Sequence, residues 1–304
     1  YLCPDRTPMK DRLAPSLFRV NKMARVDLAK YDTRLEGGLD KKDLKESLEK
    51  DKARIIELQE TLYAGGERSL LVIFQAMDAA GKDSAIANVF GGVNPQGCDV
   101  RSFKAPSSEE LTHDFLWRHA KAVPARGIIG VHSRSHYEEV LVVKVHPEYL
   151  AGQRLPGVPD PMKVDGTFWE ARYASIRDFE THLARQGVTI LKFFLHMGKA
   201  AQKERLMERI EDPKKNWKFN VGDVKERALW GDYQRAYSEA IGATASPDAP
   251  WYIVPADEQW ETRAIVARVI REQLEAMDLR MPALSAKAKA GLVEAKELLG
   301  KERN

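Results

Sequence analysis

The stretch Ser69–Ser84, SLLVIFQAMDAAGKDS, constrains this chain more than any other. It opens with Leu70-Leu71-Val72-Ile73-Phe74, a continuous apolar run rich in branched side chains. Such continuity predicts a strand dry on both faces, as in the middle of a parallel sheet. The small-residue turn Asp78-Ala79-Ala80-Gly81 follows, and Lys82 opens a helix. Strand, small-residue loop and helix N-terminus together predict a phosphate cradle. Its backbone N–H groups and the helix dipole face the anion, and the lysine neutralises it. The residues expected against phosphate are Ala79, Ala80, Gly81, Lys82, Asp83 and Ser84. The Walker pattern is broken twice: Ala76 stands where the first Gly belongs, and Asp83 where Ser or Thr holds magnesium. A carboxylate at Asp83, with another at Asp78, predicts a metal gripped by acids rather than by a hydroxyl.

The 304 residues suffice for one large α/β domain with extensions. The net charge of +3 gives no global attraction to polyanions, so a nucleic-acid partner is not expected and any basic surface must be local. Cys3 and Cys98 are too few for a disulfide framework or a zinc site, and they fit a reducing cytoplasm. No apolar run is long enough to span a bilayer and no secretory leader is visible, so membrane association is not expected either.

Residues 1–39 are punctuated by Pro and Gly and read as an arm packed on something larger. Asp40 caps a long helix with Leu44, Leu48, Ile55, Leu58 and Leu62 on one side, stopped by Gly65-Gly66. Residues 100–103 predict a short strand ending at Lys104, and a helix is expected over 108–121. The run Gly127-Ile128-Ile129-Gly130-Val131-His132 is a second buried strand. Ser133-Arg134-Ser135-His136-Tyr137-Glu138 follows it at once, polar residues bunched where α/β sheets bind ligands. His132 and His136 have no metal-ligand spacing with a cysteine and fit equally well as buried loop histidines. Helices over 168–185, 199–210, 224–242, 260–277 and 285–299 and strands over 188–195 and 251–254 complete the reading. Between them lies Glu211-Asp212-Pro213-Lys214-Lys215-Asn216-Trp217-Lys218-Phe219, where three lysines interleave with two aromatics just beyond Arg205 and Arg209. Beside a phosphate cradle, that composition suits a lid that brings in cations and excludes water.

With these segments in place, the chain resembles the polyphosphate kinase 2 family from about Val26 to Arg280. The resemblance rests on QAMDAAGKDS (75–84), GVNPQG (92–97), SFKAP with HDFLWR (102–106, 113–118), RSHYE (134–138), ERIEDPKKNWKF (208–219) and PWYIVPAD (250–257). RSHYE in place of RSWY is similar to the class III branch, which is associated with both nucleoside monophosphates and diphosphates. The resemblance implies an α/β P-loop kinase core like that of thymidylate kinase: a parallel five-stranded sheet between helices, under a helical lid over about 211–222. It also implies an N-terminal arm and helix (1–66), a catalytic domain (67–280) and a C-terminal helix (281–304).

Carried over by position, Asp78, Lys82 and Arg134 are the catalytic residues, and Asp78 and Asp83 hold Mg2+ or Mn2+. Lys104, Arg118, Ser135, Arg205 and Arg209 join the cradle in binding polyphosphate along a basic groove. Lys214, Lys215, Trp217 and Lys218 form the lid, and Asn94, Asp114 and Glu138 lie with the nucleotide. One departure is Ser133, where the family has Asp or Asn, which shifts metal binding towards Asp78 and Asp83. The second is Ala76, which narrows the backbone's approach to phosphate. The implied reaction is a direct, reversible transfer from inorganic polyphosphate to ADP or AMP by a homo-oligomer, dimer or tetramer. The alternatives from the residues alone are an ATP-dependent nucleoside monophosphate kinase of thymidylate kinase type and a non-catalytic nucleotide-binding module.

Overall fold

The computed structural model describes residues 9–301. A six-stranded sheet runs through it in the order β1-β6-β5-β2-β4-β3. In chain order the strands are β1 (Arg19–Val20), β2 (Ser69–Ala76), β3 (Cys98–Ser102), β4 (Ile129–Ser133), β5 (Val188–His196) and β6 (Trp251–Pro255). All eight residues of β2 are buried, as its unbroken apolar run predicts, and it pairs in parallel with β4 on one side and β5 on the other. Phe74 lies level with Ser133 and with Phe193, so the C-terminal tips of three strands form one edge.

The sheet corrects the expected count of five strands. The additional strand is β1, from the N-terminal arm, which adds antiparallel to β6 through Arg19↔Tyr252 and Val20↔Trp251. The arm buries Leu13, Phe18 and Leu28 along the way. Its passage over Gly242 requires a residue without a Cβ, since an added one would sit 2.4 Å from the Ala24 carbonyl oxygen.

One face of the sheet is covered by α1 (Lys41–Gly65), α2 (Lys82–Val89) and α7 (Gln259–Ala276). Asp40 caps α1 through the Lys42 and Asp43 N–H groups, and Gly66 closes it in the left-handed region at φ 61°. Its Leu44, Leu48, Ile55, Leu58 and Leu62 are all buried, as the spacing predicts. Buried Asp51 pairs with Arg268 (2.9 Å) and Arg271 (2.7 Å), fixing α1 to α7. The other face is covered by α3 (Gly166–Arg185) and α6 (Trp230–Thr244). There Lys192 of β5, fully buried, donates to Glu180 (2.6 Å), Tyr137 (2.9 Å) and the Thr244 carbonyl (2.9 Å).

Two helix expectations are revised. Residues 108–121 hold only a 3-10 turn, Glu110–Thr112, and a short helix, Trp117–Ala120, because the Ser107–Glu110 and Asp114–Leu116 side-chain contacts favour turns. Residues 224–242 are broken into α5 (Val221–Glu226), a 3-10 turn at Arg227–Leu229, and α6. The lid segment leaves α4 (Lys199–Glu211) and returns through α5. The final helix, α8 (Ala286–Lys301), has no buried residue and is exposed along its length among the described residues.

Candidate active site

The loop 77–81 joins β2 to α2, and two of its residues have positive φ: Ala79 at 63° and Gly81 at 96°. Glycine adopts that conformation freely, whereas Ala79 holds it at a cost of about 1–3 kcal/mol. Gly81 caps α2 without a side chain, which leaves the first-turn N–H groups facing outwards at the loop. The loop is held in place from the lid side. Gln202 donates to the Asp78 carbonyl (3.0 Å). Arg205 donates to the carbonyls of Ala79 (3.1 Å), Ala256 (2.7 Å) and Asp257 (3.0 Å). Arg205, expected against phosphate, is engaged here as the brace of the cradle loop.

Lys82 curls over the loop and donates to the Ala76 carbonyl at 2.8 Å. Burial pulls its pKa below the ordinary lysine value, and the Asp78 carboxylate opposes that pull. An arriving phosphate would favour the ammonium in the same way.

Arg134 stands immediately beyond β4 with φ at 65°, a second non-glycine residue in the left-handed region at this edge. Its N–H donates to the Phe74 carbonyl (3.0 Å), which extends the parallel ladder by one residue. That turn aims the guanidinium across the edge, where Nη2 lies 3.2 Å from Asp78 Oδ1. Ser133, the departure noted in the sequence, donates to Asp83 Oδ1 at 3.3 Å. Glu138 comes back beneath them. Burial raises its pKa above the usual carboxylate range, and Arg134 and Lys82 act against the rise. With its amide oriented to satisfy its neighbours, Gln75 donates to Glu138 Oε1 (2.8 Å) and accepts from the Ser135 N–H (3.1 Å). The Ser135 hydroxyl also accepts from the Tyr137 N–H, capping the turn that carries Glu138.

Lys82, Asp78, Asp83, Arg134, Ser133 and Glu138 therefore share one sheet edge. Arg209 is anchored nearby through Asp223 (3.0 Å), whose own pKa is raised by burial and by the Asp78 charge. Beyond it, Trp217 is 78% exposed with Lys218 Nζ 5.0 Å from its ring centroid. Lys215 pairs with Glu208 and with Asp212 (3.7 Å), and Lys214 is exposed.

Other expected residues lie within the scaffold. Arg118 is buried, donates to the Lys104 carbonyl (2.8 Å) and faces Glu110 at 3.6 Å, while the Lys104 side chain is exposed. Asn94 caps the 3-10 turn Pro95–Gly97, and Asp114 accepts from the Leu116 N–H (2.9 Å). His132 and His136 are buried, His132 against the Ala122 carbonyl (3.0 Å) and His136 beside Glu180 (3.4 Å). Sequence reasoning missed Gln75, Gln202 and Asp223. Gln75 is signalled by an amide interrupting an apolar strand. Gln202 sits three residues before Arg205, hence on the same helix face.

The donor set fits a hard divalent cation. Asp83 offers carboxylate oxygens beside the Ser133 hydroxyl, and Asp78 offers others from the cradle loop beside Arg134. Magnesium in kinases is held by one or two carboxylates together with substrate phosphates and water, so a protein-only cage is not needed. Among the described residues no cluster of three acidic, His or Cys side chains is present.

The polyphosphate kinase 2 family model matches residues 38–282. The chain belongs to the polyphosphate kinase 2 family. An ADP-polyphosphate phosphotransferase from Rhodopseudomonas palustris is 45% identical to it, across 93% of this chain and 97% of that protein. An AMP/ADP-polyphosphate phosphotransferase from Meiothermus ruber is 43% identical, across 87% and 94%. The crystal structure of a polyphosphate kinase 2 from Arthrobacter aurescens TC1 superposes with a TM-score of 0.82 at 40% identity, covering 93% of this chain and 97% of that one. The cradle loop, the Arg134 turn and the lid described above all fall inside the segment matched by the polyphosphate kinase 2 model.

Proposed function

We propose that this chain transfers the terminal phosphoryl group of inorganic polyphosphate to ADP and AMP, reversibly and without a covalent enzyme intermediate. The observation that carries the reading is the Lys82–Asp78–Arg134 cluster, two cations flanking a carboxylate at the mouth of a phosphate cradle. Family membership supplies the donor, and the names of the two relatives supply the acceptors.

In the forward direction the bond from the terminal phosphorus to its bridging oxygen breaks. A bond from that phosphorus to an acceptor phosphate oxygen forms, and the shortened polyphosphate leaves carrying the displaced oxygen. Two anions must meet in line, so the protein's task is positioning and charge neutralisation rather than nucleophilic attack. Lys82 neutralises the donor in the cradle. Arg134 swings from Asp78 to the transferring group, while Arg209, Lys214, Lys215 and Lys218 close from the lid beneath Trp217. Ser135, Lys104 and Arg118 shape or line the approach, and Asn94, Asp114 and Glu138 lie on the nucleotide side. A magnesium ion held by Asp78 and Asp83, with manganese as substitute, would screen the phosphate oxygens of both substrates.

The enzyme is further read as a cytoplasmic homo-oligomer, a dimer or tetramer. Burial pushes the Cys98 thiol up to about 11, which suits an unreactive structural thiol. Among the described residues no helix is long and apolar enough to cross a membrane. The test is to mix protein, magnesium, ADP and polyphosphate without ATP. ATP formation supports the reading; phosphate passing only from ATP to a monophosphate overturns it.

A further inference from the structure

A row of cations leads away from the cradle towards α7 and α1. It starts at Arg205, whose Nη1 lies 3.7 Å from where a Cβ on Gly81 would sit and which braces Ala79. Arg263 of α7 is next. Its Nη2 donates to the Ser84 hydroxyl, in the first turns of the cradle helix, at 2.7 Å. The same guanidinium lies over the indole of Trp260, its carbon 4.5 Å from the ring centroid. Two α1 lysines share that ring, Lys45 at 4.9 Å and Lys41 at 5.7 Å. They stand one helical turn apart, about 6 Å along the axis.

Three cations gathered on one indole repel one another. Each gains about 0.5–1 kcal/mol from the ring at an exposed site, which does not explain why they are collected. The neighbouring acids are engaged by backbone N–H or hydroxyl donors, and Glu258 is also close enough to act on Arg263. Glu258 caps the Trp260 N–H, Glu261 accepts from the Leu35 N–H (3.0 Å), and Asp257 binds Thr33 (2.6 Å) and the Gly198 N–H (2.7 Å). Asp40 caps α1, next to Lys41. Lys41 and Lys45 are exposed, and among the described residues neither pairs with a carboxylate. Arg263 is 8% exposed, its Nε is buried without a partner, and burial holds its pKa below the ordinary value, with Glu258 opposing and the Arg205 charge adding to the fall. Cations set out in a row in this way suit a polyanion of extended shape.

We propose that Arg263, Lys45 and Lys41, continuing from Arg205 across Trp260, form a subsite for the distal phosphates of a long polyphosphate chain whose end lies in the cradle. The inference rests on the reaction proposed above. It adds the direction in which the distal end of the donor runs: over α7 and α1. A donor of only a few phosphates ends before reaching the lysines, so they govern affinity for long chains and leave the transfer step alone.

The test is the double variant Lys41→Glu/Lys45→Glu, both positions being on the surface, with Lys41→Arg/Lys45→Arg as the charge-conserving control. Initial rates are taken with ADP and either long-chain polyphosphate or tetraphosphate, and binding of labelled long-chain polyphosphate is followed by anisotropy without nucleotide. The expected result is a rise of about tenfold or more in KM and Kd for the long chain, with a shallower salt dependence. KM for tetraphosphate, KM for ADP and kcat stay within twofold of wild type, and the arginine control behaves as wild type. Equal long-chain Kd for wild type and the glutamate variant overturns the subsite. A wild type that makes no ATP yet binds the long chain more tightly than the glutamate variant refutes the proposed reaction while supporting the subsite.

Discussion

Arg134 Nη2 lies 3.2 Å from Asp78 Oδ1, which ties the end of β4 to the cradle loop beyond β2. Both side chains are partly exposed, at 41% and 29%, so the pair adds no more than about 1 kcal/mol to stability. The positive φ of Arg134 costs at least as much. The contact therefore stores a position rather than stability: it holds the guanidinium at the mouth of the cradle, from which the proposed reaction takes it to the transferring phosphoryl group.

That contrast gives the first prediction. Asp78→Asn and Arg134→Gln each lower kcat by about 100-fold or more, equivalent to about 2.7 kcal/mol in the barrier. Each moves the unfolding free energy by less than about 1 kcal/mol. Steady-state rates set against urea denaturation of the same variants check both halves. A variant that loses stability and keeps its turnover contradicts the role.

A second prediction concerns Gln75, whose amide is directed at Glu138 Oε1. Burial raises the Glu138 pKa, and the Gln75 hydrogen bond is among the groups that lower it again. In the proposed reaction Glu138 acts as a carboxylate facing the Lys82 and Arg134 charges, both of which favour its ionised form. In Gln75→Leu the carboxylate loses a donor, its pKa rises further, and the acid limb of the kcat profile moves to higher pH. At alkaline pH the variant approaches wild type. A uniform loss at all pH values would instead mean that Gln75 only packs β2.

Much of this was legible in the sequence, for identifiable reasons. The buried run Leu70–Phe74 and the small residues before Lys82 have few alternatives to a central strand and a phosphate loop. Asp40 and Gly66 bound α1 by capping chemistry that is local. Long-range relations were not legible. Nothing around Arg19 announces that it pairs with Tyr252, since a two-residue edge strand carries no period. Arg118 has the composition of a phosphate ligand, yet its guanidinium is buried against the Lys104 carbonyl. Residues 108–121 have helical composition, but side-chain contacts to the backbone at Ser107 and Asp114 divert the chain into turns. Local chemistry identified the cradle; which cations reach it depended on packing.

The buried pair Lys192–Glu180 supports a third prediction. Lys192 is fully buried and Glu180 is 3% exposed, with Tyr137 and Thr244 filling the remaining hydrogen-bond positions. Lys192→Met alone leaves Glu180 as an uncompensated buried charge and costs about 3–5 kcal/mol. Lys192→Met with Glu180→Leu recovers a large part of that cost, because both desolvated charges leave together. Tyr137 belongs to this network and sits one residue before Glu138, so the single variant also lowers kcat. A double-mutant cycle by chemical denaturation, with additive losses as the contrary outcome, decides it.

The histidines beneath β4 and the following turn support the last prediction. His132 is 1% exposed and its pKa is depressed to about 4 from 6.5, first by burial, with the hydrogen bond to Ala122 opposing. His119 is depressed too, by burial and then by the His136 and Arg118 charges. A base that resists protonation when folded takes up its proton more readily when unfolded. Stability is therefore full above the unfolded pKa of 6.5 and falls as the pH drops towards 4. His132 alone accounts for a loss of about 2 kcal/mol at pH 5 relative to pH 7, and His119 acts in the same direction. The measurement is urea denaturation at pH 7 and pH 5 for wild type and His132→Asn. The variant starts lower at pH 7, having lost packing and the Ala122 contact, but loses less on acidification because one proton-binding group has gone from the unfolded chain. An acid sensitivity identical to wild type would place the titrating groups elsewhere.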